Sequence, residues 1–153
     1  MRIVETAFIV FFAACAGQAA AQDASLAYVA SQAPDPAAAL VHKFRLGSNL
    51  ESMANSTAAL TETYHMLSAL TVTSEIHRLV PKYQPQWDAN LAKAYAAHLS
   101  PAELQSLVQL GKSSPYVSKL KQEQPAIGTD MKTSSTPILK ALVTEALSNV
   151  AKQ

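Results

Sequence analysis

Apolar residues in this chain recur at helical spacing, and no stretch alternates with a sustained period of two. Ala37, Leu40, Val41 and Phe44 stand at i, i+3, i+4 and i+7, marking one face of a short helix that Gly47 should end. Ser48-Asn49-Leu50-Glu51 has the form of a capping box, in which the serine takes the N–H three residues on and the glutamate reaches back. Leu46, Leu50, Met53, Thr57, Leu60, Tyr64 and Leu67 then alternate four and three apart. Such a heptad-like stripe is expected to pack on another helix of the same domain, being too short for a free-standing coiled coil. The β-branched Thr71-Val72-Thr73 predicts a turn. Ile76, Leu79 and Val80 resume the pattern before Pro81 and Pro85 punctuate it.

Pro85 suits the first turn of a helix whose apolar face is Trp87, Leu91, Ala94, Tyr95 and His98 or Leu99. Ser100-Pro101-Ala102-Glu103 combines a serine cap, a proline at the first helical position and a glutamate at the third. Leu104, Leu107, Val108 and Gly111 form the inner face of that helix. Ser114-Pro115 starts the next, with Val117, Leu120, Ile127 and Met131 buried and a kink or break at Pro125. Thr136-Pro137 opens the last, carried by Ile138, Leu142, Val143, Leu147 and Val150. No Asn-Gly or Asp-Gly hairpin signal occurs. The pattern therefore predicts an all-α fold, a small bundle of about six helices, several kinked or started by proline.

The amino-terminal segment follows another logic. Arg2 precedes a short apolar run over residues 7–14, and small residues lead to Ala19-Ala20-Ala21. A charged start, a brief apolar stretch and an Ala-x-Ala exit describe a secretory signal peptide over residues 1–21. The run is too short to span a bilayer, which needs about 20 apolar residues, and no second one follows. Residues 22–36, rich in Ala, Ser and Gln and ending in Pro34-Asp35-Pro36, read as a flexible tether. Residues 37–153 then form a single helical domain, expected to be periplasmic or secreted. Cys15, the one cysteine, falls inside the leader, so the processed product would carry no disulfide, thiol nucleophile or cysteine metal site. Phe12-Ala13-Ala14-Cys15 also loosely resembles a lipoprotein cleavage site, which would anchor the protein through a lipid on Cys15.

Composition adds mainly exclusions. Over 153 residues, 49% are hydrophobic and 15% charged, which rules out a disordered chain. A net charge of +1 provides no field to attract nucleic acid. The balance hides a gradient, with acids in excess from Gln22 to Pro81 and bases in excess from Lys82 onward. Lys112, Lys119, Lys121 and Lys132 make one stretch mildly basic, but Glu123 and Asp130 interleave with them and describe a solvated helix face.

The stretch from Trp87 to Pro125 carries a family resemblance. Tyr95-Ala96-Ala97-His98-Leu99-Ser100-Pro101-Ala102-Glu103-Leu104 resembles the Tyr-x-x-His-Phe-Ser/Thr-x-x-Glu-Leu block of a bacterial exported family, the domain of unknown function numbered 2059. That family continues with a leucine-rich helix, Ser-Pro-x-Gly-x-Lys-Leu and a later proline. The counterparts here are Leu107-Val108, Ser114-Pro115-Tyr116-Val117-Ser118-Lys119-Leu120 and Pro125, with a looser echo from Leu40 to Met53. Val117 replaces the family glycine, Leu110 replaces an aromatic, and one extra residue precedes Ser114. The resemblance implies a small all-helical periplasmic or secreted domain without an established activity.

Candidate chemistry is sparse. Tyr95, His98 and Tyr116 are the candidate binding residues. His98 could serve as acid or base in an envelope hydrolase if the fold brought a carboxylate to it with Tyr95 nearby. It could equally be a core histidine or a partner of the helix dipole. His42, His65 and His77 lack the three- or four-residue spacing of a helical zinc site, so no metal is expected. There is no Gly-x-Ser-x-Gly elbow, phosphate-cradling loop or dinucleotide fingerprint, and no cofactor is expected. The reading favours a non-catalytic interaction domain whose interhelical grooves hold a partner protein helix or a small amphipathic ligand. The alternatives are the His98 enzyme and a structural lipoprotein anchored through Cys15.

Overall fold

In the computed structural model, which describes Asp35–Gln153, six α-helices and one 3-10 turn follow in order: α1 (Pro36–Phe44), α2 (Leu50–Ala58), α3 (Glu62–His65), α4 (Ala69–His98), α5 (Pro101–Leu110), the turn Gly111–Ser113, and α6 (Val117–Val150). No strand occurs among the described residues, so the all-α expectation holds. The expected leader, its cleavage site, Cys15 and residues 22–34 of the expected tether lie outside the described residues. The tether's last two residues are built into α1. Asp35 accepts from the Ala37 N–H at 2.9 Å, and Pro36 occupies the first helical position, where its missing N–H costs nothing.

The framework is an antiparallel pair. At 30 and 34 residues, α4 and α6 are each about 45–50 Å long. At one end Val72, Ile76 and Leu79 of α4 meet Leu142, Ala146 and Val150 of α6, and α2 closes that core with Leu50, Ala54 and Ala58. At the other end Leu91, Tyr95 and Leu99 gather with Ile127, and α1 and α5 close it with Leu40, Val41, Leu104 and Leu107. Met131 packs against both cores and joins them.

The prolines do not divide the helices as their positions suggest. Pro81 and Pro85 lie inside α4, Pro125 and Pro137 inside α6, and no break falls at any of them or at Thr71–Thr73. Each interior proline forfeits a hydrogen bond to the carbonyl four residues back, at about 3 kcal/mol. All four prolines are exposed, and so are the residues whose carbonyls they release: His77, Pro81, Lys121 and Thr133. Water can satisfy those carbonyls. Buried side chains on either side, Leu79 and Trp87 on α4 and Ile127 and Ile138 on α6, hold the axis together. The turn expected at Thr71 comes earlier, around α3, whose cap Thr61 accepts from the Tyr64 N–H.

Two other local expectations are corrected. The Ser48–Glu51 box does not form. α2 starts at Leu50 behind Asn49 without a side-chain cap, and the Glu51 carboxylate lies 3.1 Å from His77 Nδ1. Arg45, in the left-handed conformation at φ 50°, closes α1 two residues before Gly47, the residue expected to end it. Gly47 instead packs against α4, where Gln84 donates to its carbonyl at 2.9 Å. The box at the start of α5 forms in full. Ser100 Oγ accepts from the Glu103 N–H at 3.4 Å, Glu103 accepts from the Ser100 N–H at 2.8 Å, and Lys119 of α6 pairs with the same carboxylate.

Candidate functional site

The faces of α2 divide between two environments. Leu50, Ala54 and Ala58, four apart, turn into the core. Met53 and Thr57 do not, and Leu46, partly buried, meets both the second core and the groove. They form one wall of a groove of about 850 Å³, with Trp87, Leu91 and Tyr95 of α4 as its floor and α6 as its opposite wall. Met53 is 44% exposed along that wall. Leu60, the next position of the stripe, is 87% exposed at the turn and joins neither surface.

The α6 wall is built from two ridges with a spacing of four. The inner ridge runs Ile127, Met131, Ser135, Leu139, Val143 and Leu147, and the outer one Gly128, Lys132, Thr136, Lys140 and Thr144. The inner ridge is apolar apart from Ser135, whose hydroxyl is held by Asn90 and Met131. The outer ridge is exposed and, among the described residues, carries the only two charged groups lining the groove, both lysines. A small-molecule site of this size, mostly apolar with a few polar groups on one edge, matches the usual construction of a ligand pocket. The Trp87 indole is 3% exposed, and its N–H is buried without an acceptor. Gly128 presents no side chain, and a Cβ placed there would meet no heavy atom within 4 Å.

The three candidate residues fall in different places. Tyr95 belongs to the groove floor, and Gln124 Nε2 donates to its hydroxyl at 3.5 Å. His98, at the end of α4, is tied to α6, with Nε2 2.8 Å from Asp130 and Nδ1 3.3 Å from Glu123. Carboxylates therefore do reach His98, but they engage both ring nitrogens, and His98 does not line the groove. Tyr116 packs, partly buried, on the core shared by α1 and α5.

The strongest electrostatic perturbations lie away from the groove and fasten helices. Glu75 is held down to about 2, chiefly by the Arg78 guanidinium at 2.6 and 2.9 Å and by Asn149 of α6 at 2.7 Å, against the opposing effect of burial. Glu145 is lowered by Lys82 and by the Tyr83 hydroxyl, while Tyr83 is raised by the same carboxylate. Glu103 is lowered by Lys119 and by the Ser100 N–H of its own cap. No group of three His, Cys, Asp or Glu among the described residues could hold a metal ion. Among the described residues no helix is long and apolar enough to cross a membrane.

Sequence reasoning missed Lys132, Lys140, Gly128 and Met53 as groove residues. The signal was present in the four-residue spacing from Gly128 to Thr144, but it emerges only if the helix runs through Pro137. No family model, curated protein or solved structure matches the chain.

Proposed function

We propose that this chain is an exported, non-catalytic helical domain that binds an amphipathic ligand in the groove between α2 and α6. The groove itself carries the reading: it has an apolar floor and inner ridge and a polar outer edge. Each methylene moved from water into such a site contributes about 0.8 kcal/mol. Ten of them contribute about 8 kcal/mol, against a cost of at least about 4 kcal/mol for lost ligand freedom. Gly128 supports the same reading. An interior helical glycine costs about 1 kcal/mol relative to alanine, no packing contact demands it, and it leaves space in the groove that a side chain longer than alanine's would fill.

Export rests on the signal-peptide pattern of residues 1–21 and on the resemblance to the exported family numbered 2059. The intact mass of the exported protein distinguishes cleavage after Ala21 from a lipid on Cys15. A binding role rather than catalysis is favoured because His98, on which a catalytic reading depends, has both ring nitrogens engaged and stands outside the groove.

Trp87, the single tryptophan, sits on the groove floor and reports directly on occupancy. Titrating the protein with single-chain amphiphiles below their micellar concentrations should give a saturable change in its fluorescence. A response that never saturates, for any chain length, would overturn the proposal.

A further inference from the structure

Building on the groove reading, we infer that the ligand is a single-chain anionic amphiphile, with its acyl chain on Trp87 and Met131 and its headgroup taken by Lys132 and Lys140. The groove is charge-selective by construction: among the described residues two lysines line it and no aspartate or glutamate does. Arg78, Lys82 and Lys119 are neutralised by Glu75, Glu145 and Glu103, whereas most other described cations, Lys132 and Lys140 among them, pair with no carboxylate. Of the described cations, only Lys132 and Lys140 line the groove. Among the described residues, neither Lys132 nor Lys140 has a carboxylate within 4.0 Å. Their neighbours three and four positions away on α6 are Gly, Ser, Thr, Pro and Val, so no acid on the same helix face competes for them.

Their placement fits one headgroup rather than two. Lys132 and Lys140 are two helical turns apart, about 12 Å along the axis, on the same ridge. Thr136 lies between them, its hydroxyl donating to the Lys132 carbonyl at 2.6 Å. Both ammonium groups ride on flexible four-carbon stems and can converge on an anion above Thr136. Such stems can cover neighbouring apolar surface while the charges stay in water. The charge thus sits at the middle of the rim, and the apolar floor extends from it toward Leu91 and Tyr95.

The test uses the full chain and Trp87 fluorescence, with dodecanoate, dodecyl phosphate, uncharged dodecyl maltoside and dodecyltrimethylammonium as probes. Dodecanoate should bind about tenfold tighter than the maltoside, and the preference should shrink with added salt. The double variant Lys132→Gln/Lys140→Gln should lose the preference while still binding the maltoside. Lys132→Glu/Lys140→Glu should favour the cation. Both lysines are exposed, so thermal unfolding of the variants checks that the fold is intact. Comparing dodecanoate with dodecyl phosphate separates free carboxylates from phosphate-headed lipids as the source of the anion. Equal affinity for charged and uncharged probes, unchanged in the glutamine variant, would overturn the headgroup assignment and leave the groove reading standing. Absence of saturable binding by every probe would overturn both.

Discussion

Gly128 is a position where stability and binding should separate. It lies in the fourth turn of α6 and lines the groove, and its φ is not in the left-handed region. A Cβ there would meet nothing within 4 Å. Gly128→Ala should therefore stabilise the protein by the difference in helix propensity, about 0.8 kcal/mol. For a domain of this size that is a rise in Tm of about 3 °C. Gly128→Leu should gain nearly as much from propensity, but its side chain would stand in the groove where the ligand chain is placed. Urea unfolding followed by Trp87 fluorescence gives the stabilities, and the same signal gives amphiphile affinities. The alanine variant should be more stable with affinity within about twofold of the parent. The leucine variant should be as stable as the parent or more so, and bind at least about tenfold more weakly. A less stable alanine variant would show that α6 needs glycine for its backbone. A leucine variant with unaltered affinity would show that the ligand does not pass Gly128.

Three other perturbations test the framework. Glu75 has a folded pKa of about 2 against 4.5 for the free group, so its stabilisation is complete above pH 4.5 and drains away as the pH falls toward 2. The shift corresponds to at most about 3 kcal/mol. Solvent screening through Arg78, which is 64% exposed, reduces this to about 1–2 kcal/mol. The urea midpoint should fall more between pH 5 and pH 3 in the parent than in Glu75→Gln, and equal falls would refute the assignment. Gly47→Ala would place a Cβ on Asp88 Oδ1 and displace the Gln84 bonds to Gly47 and Asp88, so it should cost about 1–2 kcal/mol; unchanged unfolding would show that α4 yields freely there. Ser100→Ala removes the cap of α5 and should cost about 1 kcal/mol, with Ser100→Asp restoring most of it. If neither substitution moves the midpoint, the cap contributes nothing.

What was legible in the sequence depended on how local the signal was. Ser100, Pro101 and Glu103 complete a motif within four residues, and α5 begins where they place it. Ile138, Leu142, Val143, Leu147 and Val150 repeat often enough for their burial to follow from spacing alone. Ser48 and Glu51 have the same local form as the Ser100 motif, yet His77, 26 residues away, takes the glutamate. Propensity at Thr71–Thr73 likewise yields to Val72, which is fully buried and holds α4 in its helix. The count of helices came close, although the divisions at Pro81, Pro85 and Pro137 were misplaced. A proline's cost depends on whether the carbonyl it releases faces water, and one-dimensional spacing does not report that.

Misplacing the break at Pro137 also conceals the candidate site. If α6 ended at Thr136 and a separate helix began, Lys140 would have no fixed angular relation to Lys132, and Gly128, Thr136 and Thr144 would share no ridge. Only a continuous helix sets both lysines on one edge of an apolar wall. The heptad stripe has a parallel lesson. Its spacing implies that Leu46, Met53 and Thr57 face a partner, and a helix of the same domain was the expected one. The small residues Ala54 and Ala58 satisfy the core with a neighbouring face of α2, which leaves Met53 across a gap from α6. Apolar periodicity thus identifies a surface to be covered without saying that the chain itself covers it. Along this groove the described chain does not, and the two lysines on its far edge specify the charge of what would.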